Sequence, residues 1–152
     1  MPVLLMRSEL DRILSPCHCA VLRKASRHVS QAYDLALAPA GLKTTQFSLL
    51  AAIHHGGGGC LTISELAGVM VMDRSTLGHN LRPLERNGLV VIETGRDDAR
   101  RRRIRVTSKG RAKLKETGRL WVKMQARFES AFGAGATANL QDALLTLAIT
   151  KL

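Results

Sequence analysis

Two helix-start signals stand eleven residues apart near the middle of the chain, and they leave room for little but two short helices joined by a tight turn. The first is Thr62 with Glu65 three residues on, the spacing at which a hydroxyl and a carboxylate cap each other's backbone N–H groups. It predicts a short helix over 63–69 with Ile63, Leu66 and Ala67 turned inward. The second is Asp73, after the turn MVMD, opening a run in which Leu77, Leu81 and Leu84 recur on one face. That run ends at Asn87 and Gly88, residue types that tolerate a left-handed cap. Its other faces carry Arg74, Ser75, Thr76, His79, Asn80 and Arg82. An apolar back and a hydrogen-bonding front on the second of two such helices make a helix-turn-helix, and the front suits base edges and phosphates. Pro83 lacks the N–H that would bond His79, so a kink or loosening is expected there.

Directly behind this unit, residues 89–94 are β-branched and apolar, 95–99 are turn-like, and Arg103, Ile104, Arg105 and Val106 alternate polar and apolar before a cap at Thr107 or Ser108. The pattern predicts a β-hairpin whose tip holds GRDDARRRR. The chain carries a net charge of +11, and positions 96–115 concentrate ten basic groups against two acids, Asp97 and Asp98. A charge run by itself is most often a solvated face. At a hairpin tip behind a helix-turn-helix it reads as a wing, with arginines that reach a minor groove or flanking phosphates. A polyanion is the implied partner.

The segments on either side are helical. Ser15 with Pro16 reads as a cap with Pro at the first helical position, and Val21, Ala25, Val29, Tyr33 and Leu37 follow at helical spacing until Pro39 and Gly41. Thr44 reads as the cap of a second helix with Phe47, Leu50 and Ile53 inward and Leu49 alongside, stopped by the glycines at 56–59. From Lys109 a long helix carries Leu114, Trp121, Met124 and Phe128, breaks near Gly133 and Gly135, and gives way to a closing helix marked by Leu140, Leu144 and Leu147. Hydrophobic residues make up 45% of the chain but aromatics only 3%, so the apolar mass is Ala, Leu, Val and Ile, which suits packed helices better than a sandwich. The expected fold is mainly α with a small β-hairpin wing. In this reading residues 1–152 form one domain: a winged helix-turn-helix over 44–107, flanked by dimerisation helices over 15–40 and 108–151. A lone winged helix would not bury the faces of the flanking helices, and a second copy of the chain is the cheapest cover, so a homodimer is expected ahead of helices folded back on their own domain.

Other classes find little support. The glycines at 56–59 are not followed by the Lys-Ser/Thr pair of a phosphate loop. No stretch approaches the roughly 18 apolar residues of a membrane span. Residues 1–14 carry Arg7, Glu9, Asp11 and Arg12 where a signal peptide needs an unbroken apolar block, so a cytoplasmic location is expected. Five His and twelve Asp or Glu fall in no recognisable catalytic spacing and no metal or cofactor motif, so neither an enzyme nor a bound cofactor is expected.

The order of elements, with ISELAGVMVMDRSTLGHNLRPLERNGLV and DDARRRRIRVTSKG, resembles the MarR family of winged-helix regulators over residues 17–150. The resemblance implies a sequence-specific transcriptional regulator, a homodimer on a pseudo-palindromic double-stranded operator and often a repressor. It further implies release by a small phenolic or other anionic ligand, or by an oxidant, with the effector seated between the dimer helices and the DNA-binding lobe. It places the recognition helix over 73–87, with Arg74, Ser75, Thr76, His79, Asn80 and Arg82 as DNA contacts, and adds Arg96, Asp98, Arg100, Arg101 and Arg102 from the wing. The family's Asp-x-Arg pattern falls on Asp98, Ala99 and Arg100, where the Asp steadies an Arg that enters the minor groove. Its LT-x-x-G signature stands here as Val106, Thr107, Ser108, Lys109 and Gly110, with Val in place of Leu. A non-specific DNA-coating protein is the alternative that the same charge allows, although the Ser/Thr/His/Asn front offers such a protein little.

Cys17, His18 and Cys19 fall in the first turn of the first helix, where the positive end of the helix dipole favours a thiolate. Redox or soft-metal sensing by Cys17 and Cys19 is one reading, and two half-buried structural thiols is the other. Peroxide-sensing members of the family keep a reactive Cys near this place, usually with tyrosines, whereas Tyr33 is the only Tyr in this chain. Positions two apart on a helix point to different faces, so a shared metal would need a frayed turn or a further group. Cys60 has no assigned role, and three cysteines in a chain with ample core are expected to be reduced thiols.

Overall fold

The computed structural model describes residues 16–94 and 101–152, and the chain divides into two units, Met1–Ala32 and Tyr33–Leu152. Helix α1 (His18–Leu37) passes from one to the other. In the first unit the Cys17 carbonyl accepts the Val21 N–H at 3.0 Å, so the chain enters the helix at Cys17. Pro16 therefore stands outside α1 and not at its first position, and Ser15 lies outside the described residues. Val21 and Leu22 are exposed on a single chain.

The second unit continues through a 3-10 turn (Ala38–Ala40) that ends at Gly41 with φ +73°, then α2 (Thr44–His55), β1 (Cys60–Thr62), α3 (Ile63–Met70), α4 (Arg74–Arg86), β2 (Val90–Thr94), β3 (Arg102–Val106), α5 (Ser108–Phe132) and α6 (Ala134–Ile149). Thr44 is the first residue of α2 and not its cap. The Thr44 N–H donates to Asp34 Oδ1 at 2.7 Å, and Lys43 is the cap residue, its N–H donating to Gln46 Oε1 at 3.0 Å. On the same stretch of α1, the Tyr33 hydroxyl donates to Gln125 Oε1 on α5. Burial and then the neighbouring Glu129 carboxylate push the Tyr33 phenol above its ordinary value.

The expected hairpin is present, β2 running antiparallel to β3 from Val90↔Val106 to Thr94↔Arg102. A third strand, β1, adds to the other edge of β3 with Leu61 opposite Ile104, giving the order β1-β3-β2. Three residues between a glycine loop and a helix cap are too few to show alternation; the strand exists because β3 would otherwise present an unpaired edge.

Leu49, Leu50 and Ile53 from α2, Leu66 from α3, Leu77, Leu81 and Leu84 from α4, and Leu61, Val90, Ile104 and Val106 from the sheet form one buried cluster. Each fully buried aliphatic side chain contributes about 1.5–3 kcal/mol, so this cluster fixes the helix-turn-helix and the base of the wing as one body. Gly110 makes the join to α5 possible: a Cβ there would stand 2.0 Å from the Leu89 carbonyl oxygen. The break between the last helices falls at Gly133 alone, with φ +95°, and Gly135 lies inside α6. No residue of α6 is buried, and Leu140, Leu144 and Leu147 keep 37–41% of their surface exposed. Among the described residues no helix is long and apolar enough to cross a membrane.

Candidate nucleic-acid interface

Both caps of the helix-turn-helix form as their spacing demands. At the start of α3 the Thr62 N–H donates to Glu65 Oε2 at 2.7 Å, and the Glu65 N–H returns to Thr62 Oγ1 at 3.1 Å. The Thr62 N–H, and then the Thr62 hydroxyl donating to Glu65 Oε2 at 2.9 Å, hold the Glu65 carboxyl below its ordinary value, with help from Arg103 and Arg101. At the start of α4, Asp73 accepts the Thr76 hydroxyl at 2.6 Å and the Thr76 N–H at 2.8 Å, which in that order lower the Asp73 carboxyl. Between the two helices Val71 takes a left-handed conformation, φ +50°. Helix α4 runs from Arg74 to Arg86 with Pro83 inside it. It closes at Gly88 (φ +70°), with the Leu89 N–H bonding the Leu84 carbonyl at 2.9 Å.

With Leu77, Leu81 and Leu84 in the core, the polar residues of α4 divide into two faces. Arg74, Gly78, Arg82 and Glu85 recur at helical spacing and line a cleft of about 720 Å³ whose other walls are Ser64 and Glu65 of α3 and Arg101 and Arg102 at the wing. Its floor is apolar, from Ile63, Leu81 and Ile92. Ser75, Thr76 and His79 lie outside that lining and are exposed. Asn80 is half-buried and donates through Nδ2 to the Thr76 carbonyl at 2.9 Å, so its amide is partly committed to the helix itself. Thr76, having given its proton to Asp73, presents its oxygen as an acceptor, suited to a base amino group in a major groove. Arg74 reaches Ser64 Oγ at 3.1 Å.

Of the wing residues, Arg101 and Arg102 are exposed at the start of β3 and share the cleft with Arg74 and Arg82. Arg96, Asp98 and Arg100 lie outside the described residues. Arg105, behind them on β3, pairs with Glu93 of β2 at 2.7 Å. Sequence reasoning left Ser64 and Glu85 unremarked and took Glu65 only as a cap; their part in the cleft comes from α3 crossing the start of α4, which no local spacing encodes. Cys17 and Cys19 are both exposed on a single chain, and Cys60 is half-buried on β1.

The sequence profile of the MarR family matches residues 40–101, from the end of the 3-10 turn into the wing. The transcriptional regulator MosR of M. tuberculosis, solved in complex with DNA, is 41% identical to this chain, with 87% of this chain and 98% of MosR covered at a TM-score of 0.71. The chain belongs to the MarR family. Other solved MarR-type folds align as well. The transcriptional repressor CouR, bound to a 23-mer DNA duplex, is 26% identical over 89% of this chain and 94% of its own, with a TM-score of 0.78. A variant of E. coli MarR complexed with operator DNA superposes at 0.73 with 21% identity over 84% and 90% of the two chains, a likeness of fold. No curated protein sequence matches significantly. As a MarR-family transcriptional regulator, the chain carries the family's winged helix-turn-helix in residues whose caps, core and wing are described above.

Proposed function

We propose that this chain is a homodimeric repressor that reads a pseudo-palindromic operator in double-stranded DNA. The observation that carries the reading is α4: its leucine face is sunk in the core, while Ser75, Thr76 and His79 stand exposed beside a cleft walled by Arg74, Arg82, Arg101 and Arg102. Rigidly backed hydrogen-bonding groups read base edges, and the arginines supply phosphate and minor-groove contacts. Arg96, Asp98 and Arg100 complete the wing's share. That MosR and CouR were solved bound to DNA supports DNA as the partner. The bare leucine row of α6 supports a dimerisation role for 108–151; in the proposed arrangement 15–40 joins it, 44–107 is the winged helix-turn-helix, and the regulator acts in the cytoplasm. Release by a small phenolic or other anionic ligand, seated between the dimerisation helices and the DNA-binding lobe, is one route off the operator. Oxidation of the exposed Cys17 and Cys19 is the other route to release.

Binding of the purified chain to its own upstream promoter fragment and to a shuffled fragment, at one salt concentration, tests this. Preference for the promoter is expected. Thr76→Ala should then cost about 1–3 kcal/mol on the true operator and much less on shuffled DNA, whereas Arg101→Ala should weaken both and reduce the salt slope by about 1. Equal, steeply salt-dependent binding to both fragments would overturn the repressor reading in favour of a DNA-coating protein.

A further inference from the structure

Arg74 is the first residue of α4, exposed, with Asp73 before it already committed to Thr76. A long cation at that place would ordinarily sample many rotamers, and ordering it on DNA would cost affinity. Ten residues earlier, Ser64 sits in the first turn of α3, and its Oγ accepts a hydrogen bond from an Arg74 guanidinium nitrogen at 3.1 Å. The guanidinium is planar, so anchoring one nitrogen also restricts the plane of the other donors. Ser64 is itself held. Thr62 and Glu65 close the capping box on either side of it, which fixes the backbone from which its short side chain projects. Around this pair the cleft has cations and anions alike: Arg82, Arg101 and Arg102 repel Arg74, while Glu65 and Glu85 attract it. A neutral hydroxyl acceptor holds Arg74 without neutralising it. A carboxylate in the same place would cancel the charge that phosphate recognition needs.

We propose that Ser64 is a positioning residue for DNA binding, which holds the Arg74 guanidinium in its DNA-competent orientation through the Ser64 Oγ hydrogen bond. The inference rests on the reading of α4 as the recognition helix and adds a residue from the preceding helix. The hydroxyl proton of Ser64 stays available, since an oxygen that accepts from Arg74 can still donate. The favoured role is nevertheless through Arg74, because that contact is the one the geometry provides.

The test is a double-mutant cycle on the full-length chain, measured as affinity for the promoter fragment at fixed salt, with thermal unfolding of every variant alongside. Ser64→Ala should weaken binding about three- to fivefold, the scale of one lost ordering contact at an exposed site. Ser64→Thr, which keeps the hydroxyl, should restore affinity to within about twofold of the parent chain. Arg74→Ala should lose more than Ser64→Ala, and Ser64→Ala should then add nothing on top of it. Unfolding temperatures should stay level across the set, which a merely structural role for Ser64 would not give. The proposal is overturned if Ser64→Ala costs the same factor with Arg74 absent, if Ser64→Ala leaves affinity unchanged, or if Arg74→Ala binds like the parent chain. In that last case the recognition helix still stands on Thr76. A parent chain that shows no preference for the promoter over shuffled DNA would overturn the function reading itself, and this inference with it.

Discussion

At residue 110 the first turn of α5 runs against the Leu89 carbonyl, close enough that a Cβ would stand 2.0 Å from its oxygen and 2.7 Å from a Val106 methyl. Both neighbours belong to the base of the wing and cannot step aside, so Gly110→Ala should cost about 2 kcal/mol or more, the upper part of the range for overpacking. Gly118, two turns along the same helix, has open space where its Cβ would be. Gly118→Ala should stabilise by about 0.5–1 kcal/mol through helix propensity alone. Opposite shifts in the urea midpoint would confirm both statements, and a neutral Gly110→Ala would show that α5 can back away from the sheet. In the sequence, Gly110 was visible only as the last position of a family signature. The carbonyl it must avoid lies twenty-one residues earlier in the chain, where no spacing rule reaches.

The elements themselves were largely legible, because capping is a local matter. Thr62 with Glu65, and Asp73 with Thr76, lie within one helical turn of each other, so the starts of α3 and α4 could be read from four-residue windows. Strand β1 was missed because its only reason to exist is a partner strand more than forty residues away, and the division of α4 into an outward face and a cleft face was missed because it depends on where α3 and the wing cross it. The same caps predict a pH response. Asp73 and Glu65 both sit below their ordinary values of 3.8 and 4.5 in the folded chain. Their contribution is therefore present in full above those values and is lost as pH falls through the lowered, folded ones. The helix-turn-helix should loosen in acid. Asp73→Asn with Glu65→Gln, which keep acceptors at both caps but cannot titrate there, should flatten the acid side of a thermal-unfolding profile; an unchanged acid limb would assign the loss to other carboxylates.

For the whole molecule the controlling fact is the leucine row on α6. Leu140, Leu144 and Leu147 follow one another at helical spacing without a residue of that helix being buried. The proposed dimer covers this row, and Leu144→Glu should leave the fold intact while producing monomers in sedimentation velocity and lowering promoter affinity at least tenfold, on the order of one lost half-site anchor. A dimer that survives Leu144→Glu would move the interface elsewhere. The faces that need covering were legible as periodicity with no partner in the chain; the identity of the cover was not. Helix α5 has a consequence at this scale too. It starts one residue after β3 and runs twenty-five residues to Gly133, about 37 Å without a joint. If the proposed dimer is clamped at α6, such a strut works as a gauge. In the proposed dimer the separation of the two wings would be set by strut length and by the angle at its far end, and a tilt of about 10° at Gly133 would carry the wing end through about 6 Å over that length. Operator spacing would then be measured by a part of the protein that never touches DNA, and a change at the clamp could void the measurement without altering a single base-facing side chain.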